Sequence, residues 1–340
     1  MGKGAYLLRR FALGLLVMFG VSLVTFVIAR LVPSDPAALY AGPRPTPEQL
    51  ARLRTELGLD QSLPQQYVRY LSGLIRGELG VSFRTHQPIA RDLRRYLPAT
   101  LELVTVSILL ALAVGVPLGV LSGARPNSLV DHLTRIVSIA GVSMPVFWLG
   151  LLLQLLFFSN LGWLPLGGRV DKMVALNHPV QLITGFYLVD TALTRNWVAF
   201  RSTMLHMILP SVCMATYPIG LTTRMVRSCM RDVLSEPYIT AARASGIPRR
   251  TILFQLALKN AIMPALTVLA LSFAYSITGA FLVELVFQWP GIGRYVTEAI
   301  MSVDFPVVIA VTLVVTVCYI VVNMLVDVVQ AMLDPRVTLG

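Results

Sequence analysis

Long apolar runs, rather than short alternations, dominate the pattern along this chain. A helix that crosses a bilayer needs about 20 mostly apolar residues. Six stretches supply them: residues 11–32, 99–122, 136–158, 204–223, 260–287 and 307–330. Their centres hold no acidic residue; Arg30 lies near the end of the first, Glu102 and Glu284 near the outer ends of the second and fifth, and Asp327 near the inner end of the sixth. His206, Pro210 and Pro218 break the fourth, which is the weakest. Arg9 and Arg10 precede the first run as they would in a signal peptide, but its apolar core exceeds the usual length and no small-residue cleavage site follows. It reads as a retained span. Residues 174–193 are moderately apolar but include His178, Pro179 and Asp190, which suits a partly buried external loop or a re-entrant one.

The stretch 33–98 reads as folded. Thr46, Pro47 and Glu48 open a helix that Gly58 stops, a second helix runs near Pro64 to Ile75, and Gly77 and Gly80 mark turns. No repeat at a fixed period is visible.

Composition agrees with this pattern. Of 340 residues, 56% are hydrophobic and 13% charged, against about 25% charged in soluble domains; mean hydropathy is +0.72. These values exclude a soluble globular enzyme, a disordered chain and a disulfide scaffold. Cys213, Cys229 and Cys318 are too scattered for a metal site.

The net charge of +11 would suggest nucleic acid in a soluble protein. Here it sets direction, because short cytoplasmic loops collect Lys and Arg. Residues 224–259 carry seven basic and two acidic residues. Six spans place that loop inside together with residues 1–10 and 331–340, and leave 33–98, 159–203 and 288–306 outside. The external stretch 33–98 holds nine Arg, but loops beyond about 60 residues translocate largely regardless of charge.

Within the basic loop, Glu236 to Gly246 spells a short helix. Pro237 suits its first turn, Gly246 a left-handed cap, and Pro248 a new start. Ala241, Ala242, Ala244 and Ser245 are small enough for another backbone to approach closely. Such a helix is a docking element or a basic helix lying on anionic lipid.

Thr240-Ala241-Ala242-Arg243-Ala244-Ser245-Gly246 resembles the cytoplasmic coupling loop of ABC importer permeases, in the version used by peptide importers; the Glu that opens the general pattern is absent. Further motifs follow in family order. They are Leu31-Val32-Pro33-Ser34-Asp35-Pro36, Glu56-Leu57-Gly58-Leu59-Asp60, Pro98-Ala99-Thr100-Leu101-Glu102-Leu103, Phe147-Trp148-Leu149-Gly150, Trp289-Pro290-Gly291-Ile292-Gly293, Asp304-Phe305-Pro306 and Leu333-Asp334-Pro335-Arg336. The chain is therefore similar to permeases of the dipeptide, oligopeptide and nickel importer family. Gly168-Arg169-Val170 and Thr184-Gly185-Phe186 look most like the first membrane subunit of the dipeptide branch.

The resemblance implies an all-α integral membrane protein with the type I ABC importer permease fold, six spans, both termini in the cytoplasm and a cytoplasmic coupling helix. It implies a bacterial inner-membrane location and half of an alternating-access pathway for dipeptides or short oligopeptides. The implied partners are a sister six-span permease, two cytoplasmic ATPases and an extracytoplasmic solute-binding protein, with no nucleic acid. It assigns ATPase coupling to Glu236, Tyr238, Thr240, Ala241, Ala242, Arg243 and Gly246.

Ser143, Glu102, Tyr275, Glu284 and Asn323 are candidates for the pathway; the alternative is interhelical hydrogen bonding for Ser143, Tyr275 and Asn323, and interfacial hydration at a span end for Glu102 and Glu284. Import of haem, a nickel complex or glutathione is the alternative within the family, and an ion-driven secondary transporter the alternative outside it. No residue is assigned to catalysis or to a metal, and no cofactor is expected in this chain. No lysine sits in Gly-x-x-x-x-Gly-Lys-Ser/Thr, so ATP and Mg would be bound by the partner ATPases. Gly141-Val142-Ser143-Met144-Pro145 breaks the nucleophile-elbow pattern at its last position.

Overall fold

The computed structural model describes residues 3–31, 36–41, 45–56 and 58–333. The motifs at 32–35, Leu57 and 334–336, and the side chain of Asp327, lie outside the described residues. Helices run α1 (Lys3–Leu31), α2 (Pro36–Ala41), α3 (Pro47–Glu56), α4 (Leu63–Ile75), α5 (Ile89–Ala124), α6 (Leu129–Ser143), α7 (Val146–Leu153), α8 (Lys172–Asn177), α9 (Tyr187–Leu193), α10 (Trp197–Leu234) and α11 (Pro237–Ala244). They continue with α12 (Arg249–Thr251), α13 (Leu258–Val286), α14 (Ile292–Met301) and α15 (Phe305–Leu333). Two π-helical turns extend α7 through Gln154–Asn160 and join α12 to α13 through Ile252–Ala257. Extended pairing among the described residues is limited to an isolated bridge between Val81 and Pro88.

Five helical stretches are long and apolar enough to cross a membrane, and α6 with α7 makes a sixth if the pair counts as one span. That pair is bent by 108°. The bend falls at Met144 and Pro145, where proline disfavours helical backbone in the preceding residue. The fourth span differs from its expected form. Pro210 and Pro218 lie inside a continuous 38-residue helix instead of breaking it, because packing against neighbouring helices outweighs the lost hydrogen bonds. The long helices also overrun the apolar runs: α5 begins at Ile89 and α10 extends to Leu234, so the basic loop is mostly helical.

The chain divides into two units: residues 7–96 with 295–318, and residues 97–294 with both chain ends. In the first unit, Phe26 of α1 stacks on Tyr70 of α4 at 5.8 Å, and Ser22 shares a 2.9 Å hydrogen bond with the Tyr67 hydroxyl. Ser82 Oγ and the Arg84 amide donate to Asp304 at 2.6 and 3.1 Å, and the Tyr295 hydroxyl donates to Asp92 at 2.8 Å. Sequence-expected helices near 47–58 and 64–75 are present, and Gly58, Gly77 and Gly80 all have positive φ.

In the second unit, α5 and α10 meet along a glycine seam. Gly115, Gly119 and Gly123 recur every four residues on one face of α5 and face Thr222, Val226 and Met230 of α10. A Cβ on Gly119 would stand 2.6 Å from Val226 Cβ. The two backbones are thus close enough for the Thr223 hydroxyl to donate to the Gly115 carbonyl at 3.2 Å. Helices in lipid gain little from the hydrophobic effect and associate through such close packing.

At the carboxyl end of α10, Arg227 donates to Asp131, at the start of α6, at 2.5 and 2.9 Å; Ser122 of α5 donates to the same carboxylate at 2.6 Å. At the other end of the bent pair, Gln154 donates to Leu166 and to Val286, the last residue of α13. The bent pair therefore runs from the carboxyl end of α10 to the carboxyl end of α13.

Candidate functional site

Three constellations in the second unit gather the sequence-predicted residues. The first is α11. Glu236 occupies its N-cap in extended conformation and Pro237 its first turn. Its far end is a complete Schellman cap. Ile247 N donates to Ala242 O at 3.2 Å, Gly246 N donates to Arg243 O at 3.1 Å, and Gly246 has φ of 73°. Ile239 and Ala242 point inward and are buried with Val226, Met230, Ile252 and Ala257, from the carboxyl end of α10 and the turns leading into α13. Burying one isoleucine stabilises by about 1.5–3 kcal/mol, so α11 is anchored to the two helices on either side of it.

Its opposite face is open. Glu236, Tyr238, Thr240, Ala241, Arg243, Ala244, Ser245 and Gly246 are exposed. Tyr238, 41% exposed, accepts a 2.8 Å hydrogen bond from Asn260, which ties α11 to the first turn of α13. Ala242 departs from expectation: it lies on the anchoring face and does not present a small surface outward. The signal was present, since positions 239 and 242 are three apart and share one helix face.

The second constellation is a groove of about 530 Å³ at the bend between α6 and α7. Met144, Thr216, Tyr217, Ser272, Tyr275 and Ser276 line it, and no Asp, Glu, Lys, Arg or His does. Tyr275, a sequence candidate, is 63% exposed there. Ser143 is exposed at the bend between two lining residues, Val142 and Met144. Asn323 is half-buried on α15 and is not part of the lining.

The third constellation corrects the reading of the two glutamates as hydrated span ends. Both are buried: Glu102 is 3% exposed and Glu284 is 0%. Arg169 clamps Glu102 with Nε at 3.1 Å and a second, shorter contact from its Nη2, and Leu188 N donates to the other carboxylate oxygen at 2.7 Å. The Arg169 guanidinium also lies 3.7 Å from the Tyr187 ring centroid.

Glu284 accepts from Thr100 Oγ1 at 2.5 Å and from Arg294 N at 3.0 Å, while Ile292 N donates to Thr100 at 2.8 Å. These acceptors satisfy free amides at the start of α14. Gly291 is required there, because the Glu284 carboxylate occupies the space of its missing Cβ. Trp289 is fully buried and donates from Nε1 to Ala99 O at 2.9 Å. The motifs at 98–103 and 289–293 thus meet in one polar knot.

Residues 161–196 form the loop that Arg169 holds. Asp190 is buried, which opposes its ionisation. Three bonds from Thr184 and Gly185, at 2.7–2.9 Å, together with one from Ile183 N at 3.2 Å, outweigh that and hold the carboxyl below the usual carboxylate range. Asp131, Asp190 and Arg169 were not singled out as site residues. Asp131 meets Arg227 across 96 residues and Arg169 meets Glu102 across 67, so only the path of the chain reveals those pairs. Arg169→Ala would leave Glu102 buried and unpaired, at a cost of about 3–5 kcal/mol. The expected result is rapid proteolysis within 161–196 of the purified protein, partly reversed by adding Glu102→Gln. Unchanged cleavage would show that the clamp does not hold the loop.

Comparison with known proteins gives a consistent picture. Residues 115–339 match the family described as binding-protein-dependent transport system inner membrane component. Residues 4–104 match the N-terminal domain described for membrane components of the same systems. A probable D,D-dipeptide transport system permease protein of Escherichia coli K12 is 44% identical over 335 residues, 98% of each chain. A di/tripeptide transport system permease protein of Pseudomonas aeruginosa UCBPP-PA14 is 40% identical over 334 residues, again 98% of each. A dipeptide transport system permease protein of Alkalihalophilus pseudofirmus is 38% identical over 333 residues, 98% of this chain and 99% of that one.

Proposed function

Because the chain belongs to the inner membrane component family of binding-protein-dependent transport systems, we propose that it is the permease subunit of an ATP-driven importer of dipeptides or short oligopeptides. It is a multi-pass protein of the bacterial inner membrane. In the proposed assembly it pairs with a sister permease. Two cytoplasmic ATPases supply the energy and bind the ATP and Mg, and an extracytoplasmic binding protein delivers the solute.

The observation that carries this reading is the construction of α11. Its small and polar face is open, while its apolar face is seated on the carboxyl end of α10 and the start of α13. The same two helices supply Tyr217, Ser272 and Tyr275 to the groove. A push on α11 therefore reaches the groove through two packed helices, with no flexible linker between.

The groove itself suits passage rather than storage. Its hydroxyls can exchange hydrogen bonds with peptide amides, and it lacks a fixed charge that would hold a zwitterion. The absence of a carboxylate in its lining favours ATP over an ion gradient as the driving force, since proton and sodium carriers place acids on their pathways.

The bent pair α6–α7 acts as one broken span. Its start pairs with the carboxyl end of α10 and its end with the carboxyl end of α13, and those ends belong on opposite membrane faces. Six spans then put both termini and the basic α10–α13 connection in the cytoplasm, as the positive-inside rule requires.

Gly246→Val tests the coupling role. The left-handed backbone at Gly246 is unfavourable for other residues by about 1–2 kcal/mol, yet a Cβ there meets nothing within 4 Å. The chain should accumulate normally in the membrane while ATP-dependent dipeptide uptake by the assembled transporter falls at least about tenfold. Normal uptake would remove α11 from the coupling path.

A further inference from the structure

In the first unit, two cavities run along one side of α1 beneath α4, and Leu74 and Leu79 line both. The first, of about 380 Å³, is bounded by apolar side chains such as Phe19, Leu71, Leu313 and Val317. The second, of about 430 Å³, continues toward the carboxyl end of α1 and ends at Arg30. Together they make one cleft, greasy at one end and charged at the other, where Arg30, Arg69 and one carboxylate, Glu78, line it, so that the cations outnumber the acid. From Phe19 to Arg30 is 11 residues, and at 1.5 Å per residue the cleft extends about 17 Å along α1. One leaflet of a bilayer contributes about 15 Å of hydrocarbon.

Arg30 stands out among the described residues. Its guanidinium lies 5.4 Å from the Phe26 ring centroid, and no carboxylate lies within ion-pairing distance of it among the described residues. The second cavity is also polar at this end: Gln66 and Tyr70 line it, and the Gln66 Oε1 and Tyr70 hydroxyl are buried without partners. A cation at the end of a membrane helix sits where phospholipid phosphates lie.

We propose that this cleft is a binding site for one anionic phospholipid from the leaflet that holds the carboxyl end of α1, with an acyl chain between α1, α4 and α15 and its phosphate on Arg30. The match is in chemistry and in length. The apolar lining takes a chain that would otherwise face lipid tails, so shape complementarity retains it. The Arg30 guanidinium, which pairs with no carboxylate among the described residues, selects the charged headgroup. An aromatic floor of Phe26, Tyr70 and Phe305 adds rigid contact surface where the headgroup joins the chain. The occupant would act as a wedge that fixes α4 against α1.

The test uses the transporter complex purified in mild detergent, with bound lipid counted by native mass spectrometry after addition of phosphatidylglycerol or phosphatidylcholine. Wild type should retain one phosphatidylglycerol per copy of this chain through detergent exchange and retain phosphatidylcholine at least about fivefold less. Arg30→Gln should lose that preference, and Arg30→Lys should keep most of it. Ile309→Trp, which fills the cleft from α15 and leaves the cation in place, should reduce retention of both lipids. Millimolar inorganic phosphate should not displace the bound lipid; displacement would show a phosphate site without a chain site. Equal retention in wild type and Arg30→Gln would overturn the proposal. So would a photo-crosslinker at Leu74 that joins this chain to the sister permease instead of to lipid, since another helix would then fill the cleft. Neither result bears on ATP-driven import, which the uptake assay reads separately.

Discussion

Ala241→Trp is expected to abolish ATP-dependent dipeptide uptake, by about a hundredfold or more, without lowering the amount of the chain in the membrane. Ala241 lies on the open face of α11, away from buried Ile239 and Ala242, so an indole there leaves the Schellman cap and the Ile239 anchor intact. On the proposed coupling role, it obstructs the close approach of a partner backbone to Thr240, Ala241 and Ala244. A well-packed interface core tolerates no added volume of that size, and truncations or insertions at such centres commonly cost several kcal/mol. Ala242→Trp provides the contrast. Ala242 is buried against α10, so that variant should lose membrane-inserted, folded protein as well as activity. Measuring uptake, chain level and co-purifying ATPase for both variants separates a docking face from a packing face. If Ala241→Trp retained uptake and ATPase together, the exposed face of α11 would have no partner.

The second large effect is expected at Gly119. A leucine there would place its Cβ 2.6 Å from Val226 Cβ and 2.9 Å from the Thr223 carbonyl oxygen. Ordinary overpacking costs about 1–3 kcal/mol because side chains can shift; here a backbone atom is in the way, so α5 and α10 must separate. That would also remove the Thr223–Gly115 hydrogen bond and disturb the seat of α11, since Val226 and Met230 serve both. Against a total stability of about 5–15 kcal/mol, Gly119→Leu should reduce folded chain to below about a tenth of wild type. Leu121→Ala, on the exposed side of the same helix, should have little effect. Gly119→Ala combined with Val226→Gly should recover part of the loss. Normal accumulation of Gly119→Leu would mean that the seam is not a close contact.

How far the sequence alone reached follows from the range of each signal. The membrane helices and α11 were legible, because an apolar run and a Pro-to-Gly bracket are local and need no knowledge of the rest of the chain. The 108° bend at Pro145 was not legible, because it depends on what α6 and α7 pack against. Pro210 and Pro218 misled for the converse reason: their local preference is to break a helix, and neighbouring helices override it. The glycine seam at 115, 119 and 123 is visible in the sequence as a spacing of four, but it becomes meaningful only beside Thr222, Val226 and Met230. The glutamates failed most instructively. An acid at a span end suggests water, and nothing near Glu102 in the sequence points to Arg169, 67 residues away. The family motifs at 98–103 and 289–293 were read as markers of identity, whereas the fold shows their physical purpose, to close a polar knot around Glu284.

The central claim is that this chain conducts peptide only as a subunit of an ATP-driven assembly. The direct measurement is uptake of a radiolabelled dipeptide into proteoliposomes holding either this chain alone or this chain with its sister permease, the two ATPases and the binding protein. The account predicts uptake only by the full set, only with hydrolysable ATP on the side of the ATPases, and none by the single chain under any ion gradient. Uptake by the single chain, driven by a proton or sodium gradient without ATP, would contradict it.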